Sequence, residues 1–181
     1  MAHDEDGHGQ RGSAIVIRLW TDGSVLVNPG GPGGWAFVAE IGGTVLRTAS
    51  GASPETTNNR MELSAAIAAL EWVIHRPGRI EVVSDSEYVV KGMRDWRFGW
   101  KRRGWRKVKN PDLWRRLDAL VEQRGNVEFR WVRGHAGERF NEEADRIAGE
   151  AARLCSPPDP VDGELDAADD HLAELAVGWA L

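Results

Sequence analysis

AIVIRLWTDGS, residues 14–24, carries a mostly apolar, β-branched run directly into a carboxylate and a glycine. Val, Ile and Trp suit a pleated, half-buried surface, so residues 14–20 read as a strand. Asp and Gly suit a turn, and the glycine-rich NPGGPGGW at 28–35 continues in the same chemistry. This reading puts Asp22 at the end of the first strand. What the rest of the chain brings to that strand end decides the fold.

Downstream, β-compatible runs around 35–40 and 44–50 are joined through Gly42-Gly43, a hairpin signal, so three consecutive antiparallel strands are expected. From Asn59 the apolar period changes to that of a helix, with Leu63, Ile67, Leu70 and Ile74 on one face and Pro77-Gly78 stopping it. A short strand at 80–84 then ends at Asp85. A helix through 87–92, a basic tryptophan-rich segment and a helix over 111–123 follow, then a fifth strand at 127–132 and a helix over 141–154 capped by Asn141. Strands separated by helices usually run parallel, which gives an α/β fold: one five-stranded mixed sheet, three antiparallel strands and then two parallel ones, flanked by helices.

The 181 residues, 41% of them hydrophobic, suit one domain. No apolar run approaches the roughly 20 residues that span a bilayer, and the polar, acidic start differs from a signal peptide, so no membrane association is expected. The single cysteine, Cys155, forms no internal disulfide and suits a reducing cytoplasm. A net charge of −5 hides an uneven distribution, because residues 156–181 hold seven acids and no Lys or Arg, whereas residues 91–116 hold eleven Lys or Arg and two acids. The chain therefore divides into a disordered acidic N-terminus over 1–13, a core domain over 14–155 with a basic protrusion at about 95–110, and an acidic tail over 156–181. An anion-binding face is expected to be local to the protrusion.

Four acids fall at positions that could converge: Asp22 and Asp85 at strand ends, Glu62 near the start of the first helix, and Asp145 in the first turn of the last. Each has a local explanation when taken singly. Glu62 could pair with Asn59 as a cap, Asp85 could itself be an N-cap, and Asp145 could complement a helix dipole. Two strand-end acids converge only if their strands are adjacent and parallel, as this element order permits. Four convergent carboxylates repel unless cations neutralise them, and hard divalent ions with oxygen ligands do that. Beside a phosphate-binding surface, paired ions of that kind point to phosphodiester hydrolysis. No zinc spacing of Cys and His and no phosphate-cradling G-x-x-x-x-G-K-[ST] loop is present.

Taken in order, TDGS with NPG and GGW, TTNNRMEL, SDSEYV, WKRRGW with NPDLW, VRGHAG and NEEADRIA resemble the blocks of type 1 ribonuclease H, over about residues 14–154. The resemblance implies the ribonuclease H-like fold and an endoribonuclease that hydrolyses the RNA strand of RNA/DNA hybrids without sequence preference. It implies two Mg²⁺ ions, with Mn²⁺ as a substitute, held by Asp22, Glu62, Asp85 and Asp145. Asp22 would bridge the ions, Asp145 would stand on the nucleophile side, and Glu62 and Asp85 on the leaving-group side. In-line attack by a metal-activated water would leave 5′-phosphate and 3′-hydroxyl ends. His135 matches the histidine that assists proton transfer or product departure. A cytoplasmic monomer is expected.

RNA displays its 2′-hydroxyl along a wide minor groove, so selectivity for a hybrid calls for small polar groups there. The resemblance places Asn28, Asn58 and Asn59 against the backbone and minor groove and Thr57 near a DNA phosphate. In the basic protrusion, Trp96 is the indole expected to face DNA, with Lys101, Arg102 and Arg103 facing phosphates. Glu87 stands where the family usually has Gln and exchanges an amide for an acceptor-only carboxylate at a substrate contact. Val27 replaces a usual Gly before Asn28, and the link from Trp105 to Asn110 is short for the family. Two other readings compete: a non-catalytic hybrid- or duplex-RNA-binding module, which four acids would burden with needless repulsion, and a DNA-cutting nuclease, which TTNN and the basic arm disfavour.

Overall fold

The computed structural model describes residues 15–156. The expected N-terminal extension over 1–13 and all but the first residue of the acidic tail lie outside the described residues. Eleven elements follow in order: β1 (Val16–Val25), β2 (Gly33–Ile41), β3 (Thr44–Ser53), α1 (Asn58–Val73), β4 (Arg79–Ser84), α2 (Glu87–Lys91), a π-helical turn (Gly92–Trp96), α3 (Arg97–Arg102), α4 (Pro111–Arg124), β5 (Val127–Trp131) and α5 (Arg139–Cys155). The sheet order is β3-β2-β1-β4-β5. β1, β2 and β3 pair antiparallel, and β1, β4 and β5 pair parallel, as the element order predicts. Gly42 and Gly43 take φ of 56° and 89°, the left-handed values that a two-residue hairpin turn requires.

Helices cover both faces. The alternation of β1 sends Ile17 and Leu19 toward α1 and α4, where they join Leu63, Ile67, Leu70 and Leu117, while Trp20 turns to the other face and packs with Val38, Val83, Val132 and Ala144. α5 approaches this second face through a stripe of small residues, Ala144, Ala148 and Ala152, all fully buried. A Cβ on Gly34 of β2 would stand 2.3 Å from the Ala148 carbonyl oxygen, so this helix lies on bare backbone.

Three of the boundaries that differ from the sequence reading bear on the site. β1 does not stop at Trp20; it continues through Asp22 to Val25, because β2 supplies an antiparallel partner along that whole length. α5 begins at Arg139, with Glu138 at the cap position and no side-chain cap bond, so Asn141 is its third residue and Asp145 lies in its second turn. The helix beginning at Glu87 does not end at 92 either, since α2, the π turn and α3 run on without a break into the basic protrusion. Gly92 permits this: a Cβ there would lie 2.0 Å from the Trp114 ring, which packs on the glycine.

Candidate active site

Asp22 lies where β1 loses one of its two neighbours. The parallel pairing with β4 ends at Trp20↔Val83, whereas the antiparallel pairing with β2 continues through Asp22↔Ala36 to Val25↔Gly33. Two residues beyond that last parallel pair, on each strand, stand Asp22 and Asp85. TDGS is thus a strand with one open edge, and the carboxyl ends of two adjacent parallel strands present both acids to the same crevice, the usual ligand site of such sheets.

Glu62 reaches them from α1. The helix crosses β1 at Gly23, where a Cβ would lie 2.3 Å from the backbone nitrogen of Glu62 and 2.5 Å from the Met61 carbonyl carbon. Contact that close brings Glu62, only 5% exposed, beside Asp22, also 5% exposed. The cap pair with Asn59 does not form; Asn58 Nδ2 instead donates to Glu62 Oε1 at 3.5 Å. Ser86, not Asp85, caps α2, accepting from the Val89 amide at 3.4 Å. Both acids are thereby released from the local duties that could have explained them. One carboxylate oxygen from each of Asp22, Glu62 and Asp85 lies within 4.8 Å of the others.

Burial first, then the neighbouring Asp85 and Asp145 charges, push Asp22 up to about 8. Burial, then Asp22 and Asp85, raise Glu62 well above the ordinary carboxylate range. Asp145, half-buried on α5, is the fourth acid and stands beside Asp22 outside the tight group of three. Glu62 Oε2 is buried and has no hydrogen-bond partner. Clustered carboxylates, raised affinity for protons and an orphaned buried oxygen suit a hard divalent cation, which satisfies all three at once. The residues present fit such an ion.

Three contacts unforeseen in the sequence hold Asp85. Asn141 Nδ2 donates to its Oδ2 at 3.2 Å, the Trp131 indole donates to its carbonyl oxygen at 2.9 Å, and a Cβ on Gly134 would lie 2.6 Å from Oδ2. The loop RGHAG therefore passes directly against this acid, and it carries His135, exposed and in a left-handed conformation with φ 52°. A polar Asn at the head of the alanine stripe of α5 was a legible signal for the first contact. Nothing local in the sequence marks the other two.

The expected substrate residues divide. Asn28 Oδ1 accepts from the Asn58 amide at 3.2 Å, which joins the β1–β2 loop to the start of α1 beside Glu62. Thr57 occupies the N-cap position without using its side chain as a cap, and Asn59 is exposed on the first turn. Glu87, two residues beyond Asp85 and the first residue of α2, forms an ion pair with Lys91 at 2.6 Å. Trp96, 40% exposed, meets Trp100 in a tilted contact with ring centroids 5.6 Å apart, while Trp100 packs inward on Trp105 and Trp114. Arg102 and Arg103 are exposed and belong to no ion pair among the described residues. Lys101, 45% exposed, pairs its ammonium with Asp118 at 3.0 Å and with Glu122, so it also ties α3 to α4.

A family model described as RNase H matches residues 15–153. Over 134 residues the chain is 54% identical to a ribonuclease H of Alkalilimnicola ehrlichii, covering 71% of this chain and 89% of that one. Over 146 residues it is 48% identical to a ribonuclease HI of Caulobacter vibrioides, covering 78% of this chain and 95% of that one. Among solved structures, a type 1 RNase H with a type 2 active-site motif is similar at a TM-score of 0.70 and 34% identity, covering 78% of this chain and 74% of that one. The match runs from the start of β1 into the last turn of α5 and takes in all four acids, and the chain belongs to the RNase H family.

Proposed function

We propose that this protein is a metal-dependent endonuclease that hydrolyses the RNA strand of RNA/DNA hybrids at the carboxylate cluster. The observation that carries the reading is the convergence of Asp22, Glu62 and Asp85 within 4.8 Å, with a buried carboxylate oxygen left unpartnered. Asp22, Glu62, Asp85 and Asp145 would hold two Mg²⁺ ions, with Mn²⁺ as a substitute. Bound divalent ions supply an activated water at neutral pH and offset charge on the phosphate being cut. Asp22, between β4 on one side and α1 on the other, is central among the acids and suits a bridging ligand, and Asp145 beside it suits the nucleophile side.

The remaining assignments follow the surface. His135, exposed beside Asp85, would move a proton or speed product departure. Asn28, linked to Asn58 and through it to Glu62, would contact the hybrid backbone and minor groove together with Thr57, Asn59 and Glu87. Trp96, Arg102 and Arg103 would grip the DNA strand. The domain over 14–155 with its basic protrusion would act as a monomer, in a reducing cytoplasm compatible with the lone Cys155. The test is cleavage of a hybrid duplex labelled on each strand, with Mg²⁺ and with EDTA, for the native chain and Asp85→Asn. Metal-dependent cutting confined to RNA and lost in the variant is the expected result. A native chain that binds hybrid but cuts neither strand with Mg²⁺ or Mn²⁺ would overturn the reading in favour of a binding module.

A further inference from the structure

We infer that Asn141 is a positioning residue for the metal centre, acting through Asp85. The inference rests on the cation-site reading above and adds a residue to it. Asn141 begins the buried stripe that Ala144, Ala148 and Ala152 continue, and it is only 2% exposed. An amide there is costly unless both ends are satisfied. One end is satisfied: Nδ2 donates to Asp85 Oδ2 at 3.2 Å. The other is not, since Oδ1 is buried with no partner. Turning the amide over is no remedy, because it would set a carbonyl oxygen against a carboxylate. The orientation is fixed by Asp85, and the buried acceptor on the same amide has no partner among the described residues.

Two consequences follow. The bond from Nδ2 engages Asp85 Oδ2 and so restrains the carboxylate that shares the 4.8 Å cluster with Asp22 and Glu62. The free Oδ1 of Asn141 is an acceptor for a water that accompanies the hydrated divalent ion. One helical turn after Asn141, on the same face of α5, stands Asp145. A single turn of α5 thus delivers one acid and the residue that aligns another, which links the setting of Asp85 on β4 to the seating of α5. Hydrogen bonds from residues behind metal ligands commonly change ion affinity by roughly 10- to 100-fold.

The test uses the full chain and Mn²⁺ alone as the probe, with calorimetric titration of the ion and melting in EDTA for native protein and Asn141→Leu. The expected result is Mn²⁺ affinity lowered by about tenfold or more. The melting temperature in EDTA should be unchanged or higher, because Leu fills the same buried place without an orphaned oxygen. The KM for hybrid should stay within twofold while kcat falls, and the side-chain amide resonances of native Asn141 should shift as Mg²⁺ is added. A purely structural role predicts the reverse pattern, a lowered melting temperature with unaltered ion affinity, and that outcome overturns the inference. Should Asn141→Leu fail to fold, Asn141→Ser, smaller and unable to reach Asp85, is held to the same affinity criterion. Native protein that binds no Mn²⁺ overturns the cation-site reading itself, whereas native binding that matches the folded variants overturns only the role of Asn141.

Discussion

Asp22 shows what the site costs the protein when no cation is bound. Its carboxyl is ordinary at about 3.8 in an unfolded chain and is pushed up to about 8 in the fold, chiefly by burial and then by Asp85 and Asp145. Between those values the folded state keeps a proton that the unfolded state has released. Stability of the metal-free protein therefore falls as pH rises from about 4 to about 8, with a slope of at most about 1.4 kcal/mol per pH unit for this one proton. Glu62, raised by burial and the same neighbours, acts in the same direction. Chemical denaturation in EDTA across this window should reveal the decline, and Asp22→Asn should flatten it and be the more stable protein at pH 9 while losing cleavage. Mg²⁺ should also flatten the native curve, because the ion takes over the neutralising role of the proton. A metal-free native protein that grows steadily more stable from pH 5 to pH 8 would contradict this account of the cluster.

The elements converge on one small residue. α1 crosses β1 at Gly23, and the 2.3 Å that a Cβ there would leave to the Glu62 nitrogen means that the helix and its acid are seated by the missing side chain. Gly23→Ala should push the start of α1 outward, lowering stability by about 1–3 kcal/mol as overpacking does, and should reduce cleavage more than that loss of stability explains. Melting and kcat measured together check it, and a variant with native kcat would show that Glu62 is seated by something else. The sequence carried much of this. Apolar periods, the Gly42-Gly43 turn and alternating element types were enough for three antiparallel strands followed by two parallel ones and for acids at strand ends, but not for the order of strands in the sheet. TDGS misled locally because its dipeptide chemistry favours a turn, while the partner that keeps it extended, β2, lies a loop away. Asn141 was misread as a cap for a related reason: its character is that of a cap, but the preceding Arg139 and Phe140 are already helical and its side chain is spent on Asp85. Gly134 and Trp131 could not be found at all by spacing, since their meaning exists only where the β5–α5 loop meets the end of β4.

At the scale of the whole molecule, charge is arranged so that little of the basic protrusion is free by accident. Lys91, Arg97, Lys101 and Arg116 are held in ion pairs by acids of α1, α2 and α4, whereas Arg102, Arg103, Arg106, Lys107 and Lys109 cluster near the end of α3 and in the loop after it with no ion pair among the described residues. Phosphate contacts release counterions, and each one lost should lower the slope of log affinity against log salt by roughly 0.9. Arg102→Ala with Arg103→Ala should therefore reduce the slope for hybrid binding by roughly 2, while Lys101→Ala, whose charge is already paired within the fold, should leave the slope nearly unchanged and instead lower the melting temperature. The sequence beyond residue 156 adds seven acids and no Lys or Arg, so ending the chain at Ser156 takes the formal charge from −5 to +2. A polyanion tethered to the same molecule raises the local concentration of negative charge that a hybrid must displace. The shortened chain should bind hybrid more tightly at low salt, and the advantage should fade as ionic strength rises and the Debye length falls to about 10 Å near 0.1 M. Titrations of both chains over a salt series distinguish the cases: converging lines place the effect in long-range charge, parallel lines place it in a salt-independent contact, and coincident lines show that the acidic segment does not act on this surface.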